Sequence, residues 1–220
     1  MQLTAVVRKD VLLQWRSPGQ RVAILSFGVT VLLLLSFAAG PNTGALRPLA
    51  SGFLWLALLL SSTLALADSF QTEMEQHALE GLLLLPVSAR AIYYGKALAN
   101  WCQLLVLALL LVPCAVVLYD VTITRVLALS GVLFLGTAGL SAPGTLYAAM
   151  AEQAKAKQVL LPLLLFPLVV PVLLASVKAT ALLVTGDPMR QVGSWAALLA
   201  SFDLVYWSLC GLLFNRVVEH

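Results

Sequence analysis

Charge is what this 220-residue chain has least of. Thirteen Lys and Arg and ten Asp and Glu amount to 10% of its residues, against roughly 25% in an ordinary soluble domain. The remainder is 61% hydrophobic, with a mean hydropathy of +0.97. A soluble core of this length cannot conceal so much apolar surface, whereas a bilayer can, at roughly 20 apolar residues per crossing helix. The net charge of +3 forms no basic stripe, which excludes a nucleic-acid groove binder. Cysteine is equally sparse. Cys102, Cys114 and Cys210 each lie inside an apolar run, with no CxxC, no CxxCH and no Cys/His cluster. Metal centres and covalent haem attachment therefore lack local support, and the thiols read as buried and inert. No GxxxxGK[ST] loop is present, so ATP is not bound by the usual phosphate cradle, and HExxH and GxSxG are missing too. Nor is there a convincing secretory signal. About twenty mostly polar residues precede the first apolar run, long for an n-region, and an uncleaved first span is expected over cleavage near Ser36-Phe37-Ala38-Ala39.

What remains is organised as six apolar runs, near Arg21–Ala39, Pro48–Ala67, Ala97–Leu118, Val126–Met150, Val159–Val177 and Ser194–Phe214. They are continuous rather than alternating, and a bilayer admits only helices or closed barrels. The expected fold is an all-α integral membrane protein, one permease-like domain over residues 1–220. Cations set the orientation. Arg8, Lys9, Arg16, Arg21, Arg90, Lys96, Lys155, Lys157 and Arg216 fall on one side, and Arg47, Arg125, Lys178 and Arg190 on the other. This puts both termini, the Asp68–Lys96 segment and the Ala151–Gln158 loop in the cytoplasm. The outer loops, near Pro41–Arg47, Tyr119–Arg125 and Thr180–Gly193, are short. No soluble domain is left on either face, so nucleotide chemistry must come from another chain.

The most informative stretch is the polar interruption Asp68–Lys96. It carries Asp68, Glu73, Glu75 and Glu80, four of the ten carboxylates, and His77, one of the two histidines. Read as a helix over Phe70–Leu85, Glu73, His77 and Glu80 share one face, while Phe70, Met74, Ala78, Leu82 and Leu85 share the opposite one. Glu75 sits awkwardly near the apolar side. Gly81 loosens such a helix and Pro86 ends it. A solvated loop helix would show the same pattern. Docking of a soluble partner is favoured, because lipid attraction at a cytoplasmic surface selects basic residues and this face is acidic.

Four further features carry expectations. Residues Gln2–Arg16 read as an interfacial helix ended by Ser17-Pro18-Gly19, either a lipid anchor or an elbow that also touches a partner. Pro162, Pro167 and Pro171 fall within the fifth span, where each removes a donor and favours a kink. Gly131, Gly136 and Gly139 allow close packing of the fourth span, and Pro143-Gly144 can break it partway. Together these two spans are expected either to pack or to line a cavity or hinge. Asp203 lies midway along the last span, where a lone carboxylate is costly. It is read as protonated or facing the bundle interior, with a packing role favoured over a substrate or proton role. Trp55, Trp101, Trp195 and Trp207 read as interfacial or core aromatics.

The order Phe70, Glu73, Glu80-Gly81, a leucine run, Pro86 and Gly95-Lys96 is similar to the cytoplasmic coupling region of type-2 ABC exporter permeases. More closely, the chain resembles the CcmB family, the permease subunits of haem exporters in cytochrome c maturation. The matching pieces are Leu79-Glu80-Gly81-Leu82-Leu83-Leu84-Leu85-Pro86, Gly95-Lys96-Ala97, Ala142-Pro143-Gly144-Thr145, and Leu161-Pro162-Leu163-Leu164-Leu165-Phe166-Pro167 with Pro171-Val172-Leu173. They span about half the chain, in order and at appropriate separations.

The resemblance implies a non-catalytic membrane subunit in a bacterial inner membrane. It implies a separate CcmA-like ATPase that binds ATP, CcmC-like and CcmD-like membrane subunits, and indirectly a CcmE-like haem chaperone. Pairing of two copies stays open. No cofactor is expected on this chain, and haem enters as a transported substrate. His77 and His220 are far apart in sequence and both on the cytoplasmic side, and the tryptophans form no outer-loop patch. In that family the haem-contacting groups belong to the CcmC subunit. Phe70, Glu73, His77, Glu80, Gly81 and Pro86 are the expected ATPase contacts. Two alternatives stand beside this reading: a scaffold and force transmitter with no substrate path, and a type-2 permease for a lipid or drug.

Overall fold

A computed structural model describes residues 18–40, 43–75, 89–123, 125–153 and 157–218. Among them are six α-helices and no strand: α1 Pro18–Ala39, α2 Thr43–Glu75, α3 Ala89–Tyr119, α4 Val126–Gln153, α5 Lys157–Thr185 and α6 Val192–Val218. All six are long and apolar enough to cross a membrane. The physical reason is that a backbone in hydrocarbon must satisfy its own donors and acceptors, and a helix does so within one segment. Helix ends follow local chemistry. Pro18 opens α1, where its missing N–H would have had no helical acceptor anyway. Gly40 (φ 82°) and Gly186 (φ 107°) follow α1 and α5 in left-handed conformations that a side chain would strain. In the loop before α6, the Asp187 carboxylate accepts from the backbone N–H groups of Gln191 (2.7 Å) and Val192 (3.0 Å), the latter the first residue of that helix.

Several boundaries differ from the sequence expectation. The second span does not stop at Ala67: α2 runs on unbroken to Glu75, 33 residues in all. The third span begins eight residues before Ala97, and Lys96, read as an interfacial cation, is 3% exposed inside α3. Neither proline device breaks its helix. Pro143-Gly144 lies within a continuous α4, and α5 passes through Pro162, Pro167 and Pro171 to Thr185, leaving a shorter outer loop than expected. In both cases the neighbouring turns keep their own bonds, so each lost donor is a local defect. The Gln2–Arg16 helix lies outside the described residues.

The centre of the bundle is α2 and α4. Some 61% of the spanning window of each is buried, against 17% for α1 and 28% for α3 and α6. α4 packs on α2, α3, α5 and α6, while α1 packs mainly on α2 and α3. Contact depends on small residues. A Cβ at Gly136 would collide with the Trp55 ring and lie 2.7 Å from Ser176 Oγ, and one at Gly144 would collide with Leu66. Trp55 is fully buried, and its Nε1–H donates to Thr180 Oγ1 at 3.0 Å. One indole thus joins α2, α4 and α5. Association between helices in lipid rests on such close packing, since lipid tails are as apolar as leucine.

Enlarging Gly136 to Val should destabilise the bundle by about 1–3 kcal/mol, the usual range for overpacking. Adding Trp55→Leu should recover part of that loss. Thermal aggregation midpoints of the detergent-solubilised protein test this, and a double variant no better than Gly136→Val would mean that the indole is not what Gly136 accommodates.

Candidate functional site

The expected partner-binding residues divide along the chain. Phe70 and Glu73 sit on the last turns of α2, as the end of a spanning helix and not the start of a separate one. His77, Glu80, Gly81 and Pro86 lie outside the described residues. At 1.5 Å per residue, α2 is about 50 Å long, some 20 Å more than a hydrocarbon core of roughly 30 Å. Eight of its residues, about 12 Å, lie beyond the apolar run at the polar end, from Asp68 to Glu75. There the Gln20 side-chain amide of α1 donates to Asp68. At the other end of α2, Arg47 forms an ion pair with Asp120, which follows α3. The same helix therefore ties Trp55 at the centre of the bundle to the turn bearing Glu73.

The interior holds a second set of groups. Asp203 on α6 is 9% exposed, and neither carboxylate oxygen has a hydrogen-bond partner. Its Oδ1 would lie 2.8 Å from a Cβ at Gly139, with Val172 of α5 on the same spot. Asp203 thus faces the bundle interior, one of the two arrangements expected for it. One helical turn away along α4, Ser176 Oγ meets Gly136, again without a hydrogen-bond partner. Glycine on α4 is what makes room for both.

Sequence reasoning passed over most of the buried polar groups around this point. Lys96 and Asn100 of α3 are buried in the interior, with Thr137, Ser141 and Thr145 of α4 and Thr180 of α5. Asn100 Nδ2 donates to Thr145 Oγ1 at 3.0 Å, and Ser141 Oγ to the Ala97 carbonyl at 2.7 Å. A usable signal was present: Asn100 and Thr145, like Lys96 and Ser141, are polar residues in otherwise apolar runs.

Aromatic donors complete the set. Trp101 Nε1 donates to the Phe134 carbonyl (3.1 Å), Trp207 Nε1 to that of Ala138 (3.2 Å) and the Tyr93 hydroxyl to that of Ala142 (3.0 Å). These acceptors recur every fourth residue, so they form one stripe along α4. Trp101 and Trp207 meet edge to face at 6.2 Å between centroids.

The prolines of α5 were expected either to pack or to line a cavity or hinge. Pro167 and Pro171 are exposed on the outer face of the bundle, while Leu165, Val169 and Val172 are fully buried. They do not line an internal cavity. Pro143 and Gly144 are both buried, and Gly144 seats Leu66 of α2. Among the residues described, no group of three His, Cys, Asp or Glu is placed to hold a metal ion.

Comparison with known proteins places this architecture. The chain matches the family described as CcmB protein over residues 1–220. A protein named heme exporter protein B from Rhodobacter capsulatus is 36% identical over 172 residues, 78% of this chain and 79% of that protein. Its namesake in Paracoccus denitrificans is 32% identical over 213 residues, 96% and 98% of the two chains. The protein of that name in Bradyrhizobium diazoefficiens is 29% identical over 203 residues, covering 92% and 90%. A match along the whole length, carried by six helices that can span a membrane, leaves one conclusion: this chain is a multi-pass membrane protein and belongs to the CcmB family.

Proposed function

We propose that the chain is the membrane permease subunit of an ABC-type haem exporter serving c-type cytochrome maturation, and that it works without catalytic groups of its own. The relatives' name, heme exporter protein B, supports the substrate class. ATP is bound and split by a separate CcmA-like partner. CcmC-like and CcmD-like subunits complete the assembly, with a CcmE-like chaperone receiving haem. The membrane is the bacterial inner membrane and both termini face the cytoplasm.

The observation that carries the mechanism is the unbroken length of α2. A partner that pushes on the turn bearing Phe70 and Glu73 moves a rigid rod whose other contact is the Trp55 junction. Glu73 and Glu80 are read as the charge for the partner contact, with His77 as a further contact. Gly81 and Pro86 are read as part of the same partner-contact segment. Motion delivered at Trp55 reaches α4 and α5 together, because Gly136, Ser176 and Thr180 surround that indole. Asp203 of α6 and Ser176 of α5, which meet glycines one turn apart on α4, are the polar groups positioned to respond.

A specific observation favours the scaffold reading as the runner-up. Trp55, Leu58, Leu66, Leu133, Leu140 and Leu165 each expose less than 2% of their surface. This filled centre suits a force transmitter that rearranges its partners as well as it suits a closed state of a pathway.

Reversing both charges, Glu73→Lys with Glu80→Lys, should abolish co-purification of the ATPase while the chain stays inserted in the membrane. ATPase recovered at the unaltered level would remove the docking role. Two glycines inserted after Ala67 should leave the ATPase bound and yet stop haem delivery to the chaperone, measured as haem-loaded chaperone in membranes. Undiminished delivery would mean that α2 is not the lever. Asp203→Leu keeps the shape and removes an unpartnered carboxylate. It should leave thermal stability equal or raise it by about 1–3 kcal/mol, while lowering haem delivery. A stable and fully active variant would show that Asp203 has no part in transport.

A further inference from the structure

α5 presents two opposite faces. Leu165, Val169, Val172 and Ser176 are turned into the bundle and fully buried, against α2, α4 and α6. Leu163, Pro167, Val170, Pro171, Leu174 and Lys178 are exposed, and at about 100° per residue they share an arc of roughly 100° on the other side. Two features make this face unlike a surface fitted to lipid tails. The first is a pair of acceptors without their usual donors. Pro167 and Pro171 have no N–H, so the carbonyls of Leu163 and Pro167 lose the bond that the next turn supplies elsewhere in the helix. Both carbonyls lie on the exposed arc, because a helical carbonyl points along the axis towards the residue four positions on. Hydrocarbon offers them no donor, and an unmet backbone group there is costly. The second feature is a cation. Lys178 is exposed seven residues before α5 ends at Thr185, about 10 Å along the axis. Among the described residues no carboxylate forms an ion pair with it.

We propose that this face of α5 docks a spanning helix of a different membrane subunit, which sets a carboxylate against Lys178 and hydrogen-bond donors against the Leu163 and Pro167 carbonyls. The inference rests on the reading of the chain as one subunit of a membrane assembly, and adds the surface through which it assembles. Depth comes first. From Leu163 to Lys178 the face runs about 22 Å, inside a hydrocarbon core of roughly 30 Å, so its complement is another spanning element. Ionised side chains within a span ordinarily face a bundle interior or pair with an opposite charge. A lipid phosphate can receive the Lys178 ammonium at the outer boundary, but it leaves the acceptor at Pro167, about 16 Å deeper, unmet. A helix meets both requirements at once. Charge then excludes symmetric pairing of two copies through this face. Copies inserted the same way and related by a two-fold axis bring Lys178 against Lys178 at the same depth. Among the described residues the carboxylate midway along a span is Asp203, and it is buried in the bundle. The complement of Lys178 therefore belongs to another chain.

A photo-cross-linker tests this. The full-length, tagged chain carries p-benzoylphenylalanine in place of Leu174, one turn from Lys178 and 53% exposed. It is irradiated in native membranes and purified with whatever is bound to it. The expected adduct joins it to another membrane subunit and maps, by mass spectrometry, to a spanning segment that contains Asp or Glu. Its yield should fall at least about tenfold in Lys178→Glu, because like charges opposed across an interface cost that much or more. It should survive in Lys178→Arg, and return when the mapped carboxylate is changed to Lys alongside Lys178→Glu. Lipid adducts alone, an adduct with a second copy of this chain, or a yield indifferent to Lys178→Glu would overturn the proposal. Lys178→Gln covers the case in which Lys178→Glu does not insert: the neutral side chain should still weaken the adduct, and an unchanged yield overturns the pairing. Membrane subunits that co-purify with the unaltered chain while Leu174 yields lipid adducts would leave the assembly reading standing and remove this surface. If no membrane subunit co-purifies with the unaltered chain, both fall.

Discussion

The closeness with which neighbours approach α4 is the constraint on which the bundle depends. Lipid offers helices no hydrophobic reason to associate, so attraction comes from packing, and packing needs backbones that come near one another. Gly136, Gly139 and Gly144 lie along α4 at spacings of three and five residues and receive, in turn, Trp55 with Ser176, Asp203 with Val172, and Leu66. Remove that relief and α2, α5 and α6 must all move outwards. The carbonyls of Phe134, Ala138 and Ala142 then add directional contacts from α3 and α6. Packing sets the distance, and the hydrogen bonds set the rotation of each neighbour about α4.

Such a centre has a consequence for how force travels. α1 touches α4 little and can shift against α2 and α3 without disturbing it. α2 cannot, because Trp55 is enclosed by residues of α4 and α5. The helix that continues past its apolar run to Glu75 is therefore also engaged by Trp55 at the centre of the bundle. α3, the other long helix, is engaged differently: its Tyr93, Asn100 and Trp101 make several lateral bonds to α4 spread along its length.

Much of the architecture was legible in the sequence because its cause is local. Six apolar runs, each near twenty residues, require six spanning helices whatever their packing, and all six are present. The family was legible because Pro143-Gly144 and the leucine–proline runs recur in order. What the runs could not reveal was where a helix stops when polarity changes gradually. Ala67-Asp68 looks like an exit from the membrane, but helix formation does not end at a carboxylate, and α2 continues. Proline inside a spanning helix follows a related rule. Pro143, Pro162, Pro167 and Pro171 are breakers in water, and in a membrane the surrounding turns have no better alternative than the helix. Asp203 was legible as an anomaly, and its inward placement could be named as an option. Its neighbours Gly139 and Ser176 could not, since they come from other helices and only packing unites them. The buried position of Lys96 was missed because a cation beside an apolar run is ordinarily an interfacial anchor.

The indoles around α4 have one more implication. Trp55 stacks over Gly136, while Trp101 and Trp207 donate to carbonyls of the same helix. Of the tryptophans in the described helices, three have their immediate surroundings set by α4. Any displacement of that helix alters the polarity and hydrogen bonding seen by all three at once, so the intrinsic ultraviolet emission of the protein is a built-in gauge of α4, readable without attaching any label.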